Sequence, residues 1–148
     1  MTLEYALRKA GLEPGKDVEV RSDIQFNAMA GAFAGGEGDY TTLFEPTATA
    51  MESEGQGYVL ASVGEMAGEV PYTCYQVTRS ALEEKSDTVL RFLRAIARAQ
   101  RFVQENDAKT VAEALAPAFA DTPVETLETV VERYRSIGAF AQAPVMHE

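Results

Sequence analysis

Apolar positions near the N-terminus fall at Leu3, Ala6, Leu7 and Ala10, the i, i+3, i+4, i+7 spacing that lines one face of a helix. Gly11 follows as a helix stop and Pro14-Gly15 as a turn, after which Val18-Glu19-Val20 alternates in the manner of a short strand. The same signals then repeat. Ser22 to Gln25 is a polar loop, Phe26 to Ala34 carries a helical stripe closed by Gly35-Gly36, and Thr41 to Phe44 predicts a second strand. Pro46 ends that strand and lies near the first turn of a helix predicted over Thr47 to Glu54. Gly55-Gln56-Gly57 stops the helix, and Tyr58 to Val63 is a third strand. Helices and strands in alternation with short connections predict an α/β fold, a parallel sheet with helices on its faces.

The pattern changes after the Gly- and Glu-rich stretch from Gly64 to Pro71, the best candidate boundary. Tyr72 to Thr78 predicts a strand rich in aromatic and β-branched residues, and the chain beyond it is helical. The strongest element covers residues 87–104. Val89, Phe92, Leu93, Ile96, Ala99 and Val103 line one face of it after a Ser86/Asp87 start. Arg91, Arg94, Arg98 and Arg101 form a basic stripe on the other side, which fits a solvated face better than an anion site. Asn106/Asp107 begin a short helix that reaches Leu115 and is stopped by Pro117. Thr122-Pro123-Val124-Glu125 has the spacing of a capping box with proline at the first helical position. It opens a last helix with Leu127, Val130, Val131 and Tyr134 inward, and the tail from Ala139 to Glu148 reads as loosely held. Two units are therefore expected, 1–70 and 71–148.

Composition narrows the partners. The chain of 148 residues, 46% hydrophobic and 24% charged, has the make-up of an ordinary folded domain. A formal charge of −10 argues against nucleic acid, which needs a basic footprint, and against an anionic membrane surface. Four Lys/Arg stand against twelve Asp/Glu in residues 1–70, and nine against eleven in residues 71–148. That asymmetry matches the expected division. One cysteine, Cys74, excludes an internal disulfide and a cysteine zinc cage, and its apolar-rich setting predicts a buried, inert thiol. Met1 to Tyr5 has neither a basic nor an apolar signal region, so a complete chain of this sequence is expected in the cytoplasm. No apolar run is long enough for direct membrane insertion.

Catalysis finds little to work with. His147, the single histidine, lies one residue from the end, where it cannot be held to catalytic tolerance, so Ser22/Asp23 and Thr41/Thr42 lack an activating base. The carboxylate pairs Glu52/Glu54, Glu83/Glu84 and Glu125/Glu128 read as solvated or capping acids. Gly36-Glu37-Gly38-Asp39 lacks EF-hand spacing, and no Lys-Ser/Thr follows Gly31-x-x-x-Gly35-Gly36 to make a phosphate loop. No catalytic residue, metal or cofactor is expected.

A binding geometry is what remains. Ligands of parallel sheets sit at the C-terminal ends of the strands, which here lead into Ser22-Asp23-Ile24-Gln25 and Phe44-Glu45-Pro46. Gln25, Asn27 and Glu45 are the polar groups expected at a cleft. Glu45 serves equally well as an acid at the N-terminus of the next helix, and Asn27 as a cap for the helix beginning at Phe26.

The run Ala32-Phe33-Ala34-Gly35-Gly36-Glu37-Gly38-Asp39-Tyr40, followed by Leu43-Phe44-Glu45-Pro46-Thr47-Ala48, resembles a stretch of a known binding-protein family. That family is the SsuA/THI5-like (NMT1) substrate-binding proteins of nitrate, sulfonate and taurine import. Ala6 to Leu12, Gly55 to Leu60, Arg91 to Ala95 and Glu132-Arg133-Tyr134 are similar to other parts of it in the same order. The resemblance implies a type II periplasmic-binding-protein-like fold. Residues 1–70 would form most of the second lobe, and 71–148 the hinge strand and C-terminal helices of the first, with Tyr72 and Thr73 at the hinge as weaker candidates for ligand contact. It further implies a small-molecule ligand (sulfonate, nitrate, taurine or pyrimidine-like), an ABC permease as partner, and a periplasmic or extracellular location. The family's first half has no counterpart here, and Tyr40 stands where a small residue is common. With its native cover missing, the strand from Tyr72 and the helix over 87–104 would expose apolar surface, which predicts a homo-oligomer or a complementing N-terminal half. The alternatives are a stand-alone oligomerising interaction domain and a relative of the THI5-type pyrimidine synthases.

Overall fold

A computed structural model describes residues 2–68 and 73–145. Eight α-helices follow one another among these residues: α1 (Thr2–Lys9), α2 (Met29–Ala34), α3 (Thr47–Ser53), α4 (Val63–Ala67), α5 (Arg79–Glu84), α6 (Ser86–Glu105), α7 (Ala108–Leu115) and α8 (Val124–Ser136). Short 3-10 turns cover Phe26–Ala28 and Ala116–Ala118. The chain divides into two compact units, Met1–Pro71 and Tyr72–Glu148. None of the described helices is long and apolar enough to cross a membrane.

The expected α/β fold with a parallel-rich sheet is overturned. No strand occurs among the described residues, and the sole ladder-type contact is an isolated parallel bridge between Pro14 and Val18. Val18–Val20, Thr41–Phe44, Tyr58–Ser62 and Thr73–Thr78 run instead as irregular chain. Alternation and β-branching favour an extended backbone, but a strand exists only where a neighbour pairs with its N–H and C=O groups. Beyond the Pro14–Val18 bridge these segments find no such neighbour among the described residues, and Tyr58, Leu60 and Tyr75 are among the most exposed apolar side chains there. Val63, assigned by its apolar run to the third strand, opens α4 instead, because Ser62 caps the turn by accepting from the Glu65 amide at 3.3 Å.

In the first unit α1 packs on α4, and each helix buries one alanine, Ala6 and Ala67. Side chains this small let two short helices approach closely. α3 buries Thr49 and Met51, and the Ser53 hydroxyl donates back to the Thr49 carbonyl at 2.9 Å. The Glu52 carboxylate accepts from the Val59 amide at 3.0 Å and so ties the following loop to the helix.

The second unit is organised differently. α7 and α8 pack as a hairpin that buries Val111 and Ala112 on one side and Leu127, Val130 and Val131 on the other. Val103 and Phe140 pack against the cluster of Ala108, Val111 and Val131. Leu127, Val111 and Val131 are fully buried, each contributing about 1.5–3 kcal/mol relative to exposure. Asp107 caps α7 by accepting from the Thr110 amide at 2.7 Å. That bond holds the Asp107 carboxyl below the usual carboxylate range.

Three further expectations are corrected here. The capping box is absent: α8 starts at Val124 after Pro123 with no side-chain cap. Cys74 is exposed rather than buried, because its segment has no sheet to enter; the Gln76 amide donates to its sulfur at 3.6 Å. The tail is held as far as Phe140, whose ring meets Tyr134 edge-on at 5.8 Å, and the Gln104 amide donates to the Gln142 carbonyl at 3.2 Å.

α6 matches its predicted span closely, yet none of its twenty residues is buried. Leu90, Phe92 and Leu93 are each more than two-fifths exposed. Arg91, Arg94, Arg98 and Arg101 face solvent on the polar side, Arg91 being paired with Asp87.

Candidate functional site

The loops after the first two predicted strands meet through their aromatic residues. Phe26 and Phe44 lie with ring centroids 5.5 Å apart and planes tilted by 52°. Both remain accessible, Phe26 at 65% and Phe44 at 46% exposure. An accessible aromatic pair flanked by polar side chains is a surface on which an organic ligand could rest.

Gln25 and Asn27 flank Phe26. Gln25 stands at the N-terminal end of the 3-10 turn with an extended backbone (φ −64°, ψ 144°), and its side chain makes no capping bond. Asn27 lies within the turn, and both side chains are exposed. Glu45 follows Phe44 and is half-buried, its Oε2 accepting from the Thr49 amide at 2.9 Å. It thus takes the helix-terminus role left open by the sequence while remaining beside the aromatic pair. Thr73 is an exposed residue of the second unit, and Tyr72 lies outside the described residues, as does His147.

Periodicity alone passes over the two rings and over an ion-paired cluster close to Phe26 along the chain, Arg21 with Asp23 and Glu37. Phe26 and Phe44 were hidden because each counts as an apolar position of a helix or strand. Arg21 and Glu37 were hidden because each is one charge among many. Arg21 Nε and Nη2 donate to the two Asp23 carboxylate oxygens at 3.1 and 2.8 Å, and Nη1 donates to Glu37 Oε2 at 2.9 Å. Asp23 and, after it, Glu37 hold the guanidinium more firmly protonated than usual, while Arg21 depresses the Asp23 carboxyl. Gly36 (φ +88°) and Gly38 (φ +83°) bend the chain on either side of Glu37 through a region that side chains disfavour. One signal for Arg21 was present: it is the only cation between Lys16 and Arg79.

The second unit has its own depression of about 250 Å³, lined by Val103, Gln104, Arg135, Gly138, Phe140 and Gln142. The Arg135 guanidinium is committed there, donating to the carbonyls of Val103 and Asn106 at the end of α6. This closes a helix terminus rather than opening a charge to a ligand. No group of three or more His, Cys, Asp or Glu among the described residues is placed to hold a metal ion.

A Bacillus subtilis (strain 168) protein named "Putative binding protein YtlA" is 39% identical over all 148 residues of the chain. The chain spans 44% of that relative's length. No solved structure matches the chain significantly. The NMT1-like family matches residues 1–116, and the chain belongs to that family.

Proposed function

We propose that this chain is part of the solute-binding component of an ABC-type importer, and that the surface around Phe26 and Phe44 contacts the solute. The carrying observation is the 5.5 Å approach of these two accessible rings, with Gln25, Asn27 and Glu45 beside them. Membership of a family with a relative named as a binding protein supports the same reading. Binding without chemistry fits the side chains present at this surface: amides, carboxylates and rings, with the one guanidinium already paired. An importer role would place the protein on the outer side of the cytoplasmic membrane. The sulfonate, nitrate, taurine and pyrimidine classes implied by the family resemblance open the screen, which extends to neutral and cationic aromatic compounds.

Thermal-shift measurements against those classes test the reading. A solute present at about 100 times its dissociation constant should add ~2.7 kcal/mol of stability. Phe44→Ala should remove that gain without unfolding the chain, since the ring is nearly half exposed. If no solute stabilises the protein, or if Phe44→Ala leaves every response intact, the reading fails.

A second reading, self-association, is favoured by one observation: α6 is amphipathic yet buries none of its residues. Light scattering across a hundredfold range of concentration checks it. A constant monomer mass would rule it out.

A further inference from the structure

Taking the Phe26–Phe44 surface as the binding site, we infer that its ligand is an organic cation or a cationic aromatic ring, and that anionic solutes are disfavoured there. Two groups close to these rings along the chain could meet an anion. Arg21 is the only cation between Lys16 and Arg79, and both sides of its guanidinium are already taken by Asp23 and Glu37. The second group is the amide at the start of α3, where anions are normally welcome. Glu45 occupies it through the bond from Thr49. At both positions the protein has supplied its own carboxylate.

The remaining charge points the same way. Between residues 21 and 45 one arginine stands against Asp23, Glu37, Asp39 and Glu45. A second anion would enter a field that is already negative, whereas a cation would be drawn in. The aromatic pair adds an attraction of its own, because a cation over a ring face interacts with the negative face of the π system. Gln25 and Asn27 do not choose a sign, since a carboxamide offers both a donor and an acceptor. Selection between ligands therefore falls to the carboxylates and the two rings.

Three probes of similar body and different charge test this on the full chain: benzyltrimethylammonium, benzyl alcohol and benzenesulfonate, titrated by calorimetry. The cation should bind about 2- to 5-fold more tightly than the alcohol, the gain expected of an exposed cation–π contact, and the sulfonate most weakly. Glu45→Gln should narrow the gap between cation and alcohol. Gln can still accept from the Thr49 amide, so the local fold is kept while the charge is lost. Phe26→Ala provides a second variant at the more exposed ring and should narrow the gap as well. Equal affinity for cation and alcohol, or tighter binding of the sulfonate, overturns the inference while leaving the site in place, provided Phe44→Ala still abolishes binding. Binding of any probe that Phe44→Ala does not affect overturns the site itself, and so does absence of binding by all three.

Discussion

The two units of the chain are held together by different means. The first buries little: Ala6 and Ala67 where α1 meets α4, and Thr49 and Met51 in α3. Its loops are set instead by side-chain bonds to backbone and by the Arg21 clasp on Asp23 and Glu37. The second unit has an apolar centre, with six buried residues shared between α7 and α8. The difference teaches where adaptability resides. The surface proposed to meet the solute lies where order comes from many exposed, individually weak bonds. The packed hairpin has no such freedom.

Four substitutions would break or sharpen this comparison. Leu127→Ala should cost about 2–5 kcal/mol, because it empties a fully buried position in the hairpin. Denaturant unfolding followed by circular dichroism measures it, and a loss below about 1 kcal/mol would mean the hairpin is not the stable centre. Arg135→Met comes next, at about 1–3 kcal/mol, since it strips the Val103 and Asn106 carbonyls of a charged donor in a half-buried place. Hydrogen exchange reads it: amides at the α6–α7 junction should exchange faster than in the parent chain.

Gly36→Ala should cost about 1–2 kcal/mol, through its φ of +88° rather than through any clash. Thermal melting measures the loss, and solute affinity should fall with it if the loop carrying Glu37 shapes the site. The smallest effect is one of pH. The Asp107 carboxyl titrates below its ordinary value of 3.8 in the folded protein, so the unfolded chain binds its proton first. Its contribution is complete above about 3.8 and disappears as pH falls through the lowered folded value. Asp107→Asn keeps an acceptor at the cap but should flatten this acid limb; an unchanged acid unfolding midpoint would show that the cap does not matter.

Helices were the legible part of the fold. Residues 87–104 carry a long stripe with a polar start, and the observed helix differs from the expected span by one residue at each end. α3, α7 and α8 were equally visible, through Pro46, Asp107 and the inward-facing Leu127, Val130 and Val131. α4 was missed. Its five residues are too few to show a period, and its one decisive signal, Ser62, lay inside an apolar run that resembled a strand. The sheet failed for a separate reason. Tyr58 to Val63 and Thr73 to Thr78 have strand-like composition, but composition says nothing about whether a partner lies alongside.

The candidate site was only partly visible along the chain. Gln25, Asn27 and Glu45 follow from where the loops fall along the chain, and the resemblance to substrate-binding proteins gave them a purpose. The rings between them did not stand out, since Phe26 and Phe44 are eighteen positions apart and ordinary in their local patterns. By itself the sequence determined most of the helices, the acidic first unit, the basic face of α6 and the family, because these depend on neighbours along the chain or on residue identity alone. Only the tertiary structure decided that Phe26 meets Phe44, that Arg21 is spent on Asp23 and Glu37, and that the extended segments stay unpaired. Each of those outcomes is a contact made or not made, and contacts between distant residues are set by the path of the backbone rather than by local pattern.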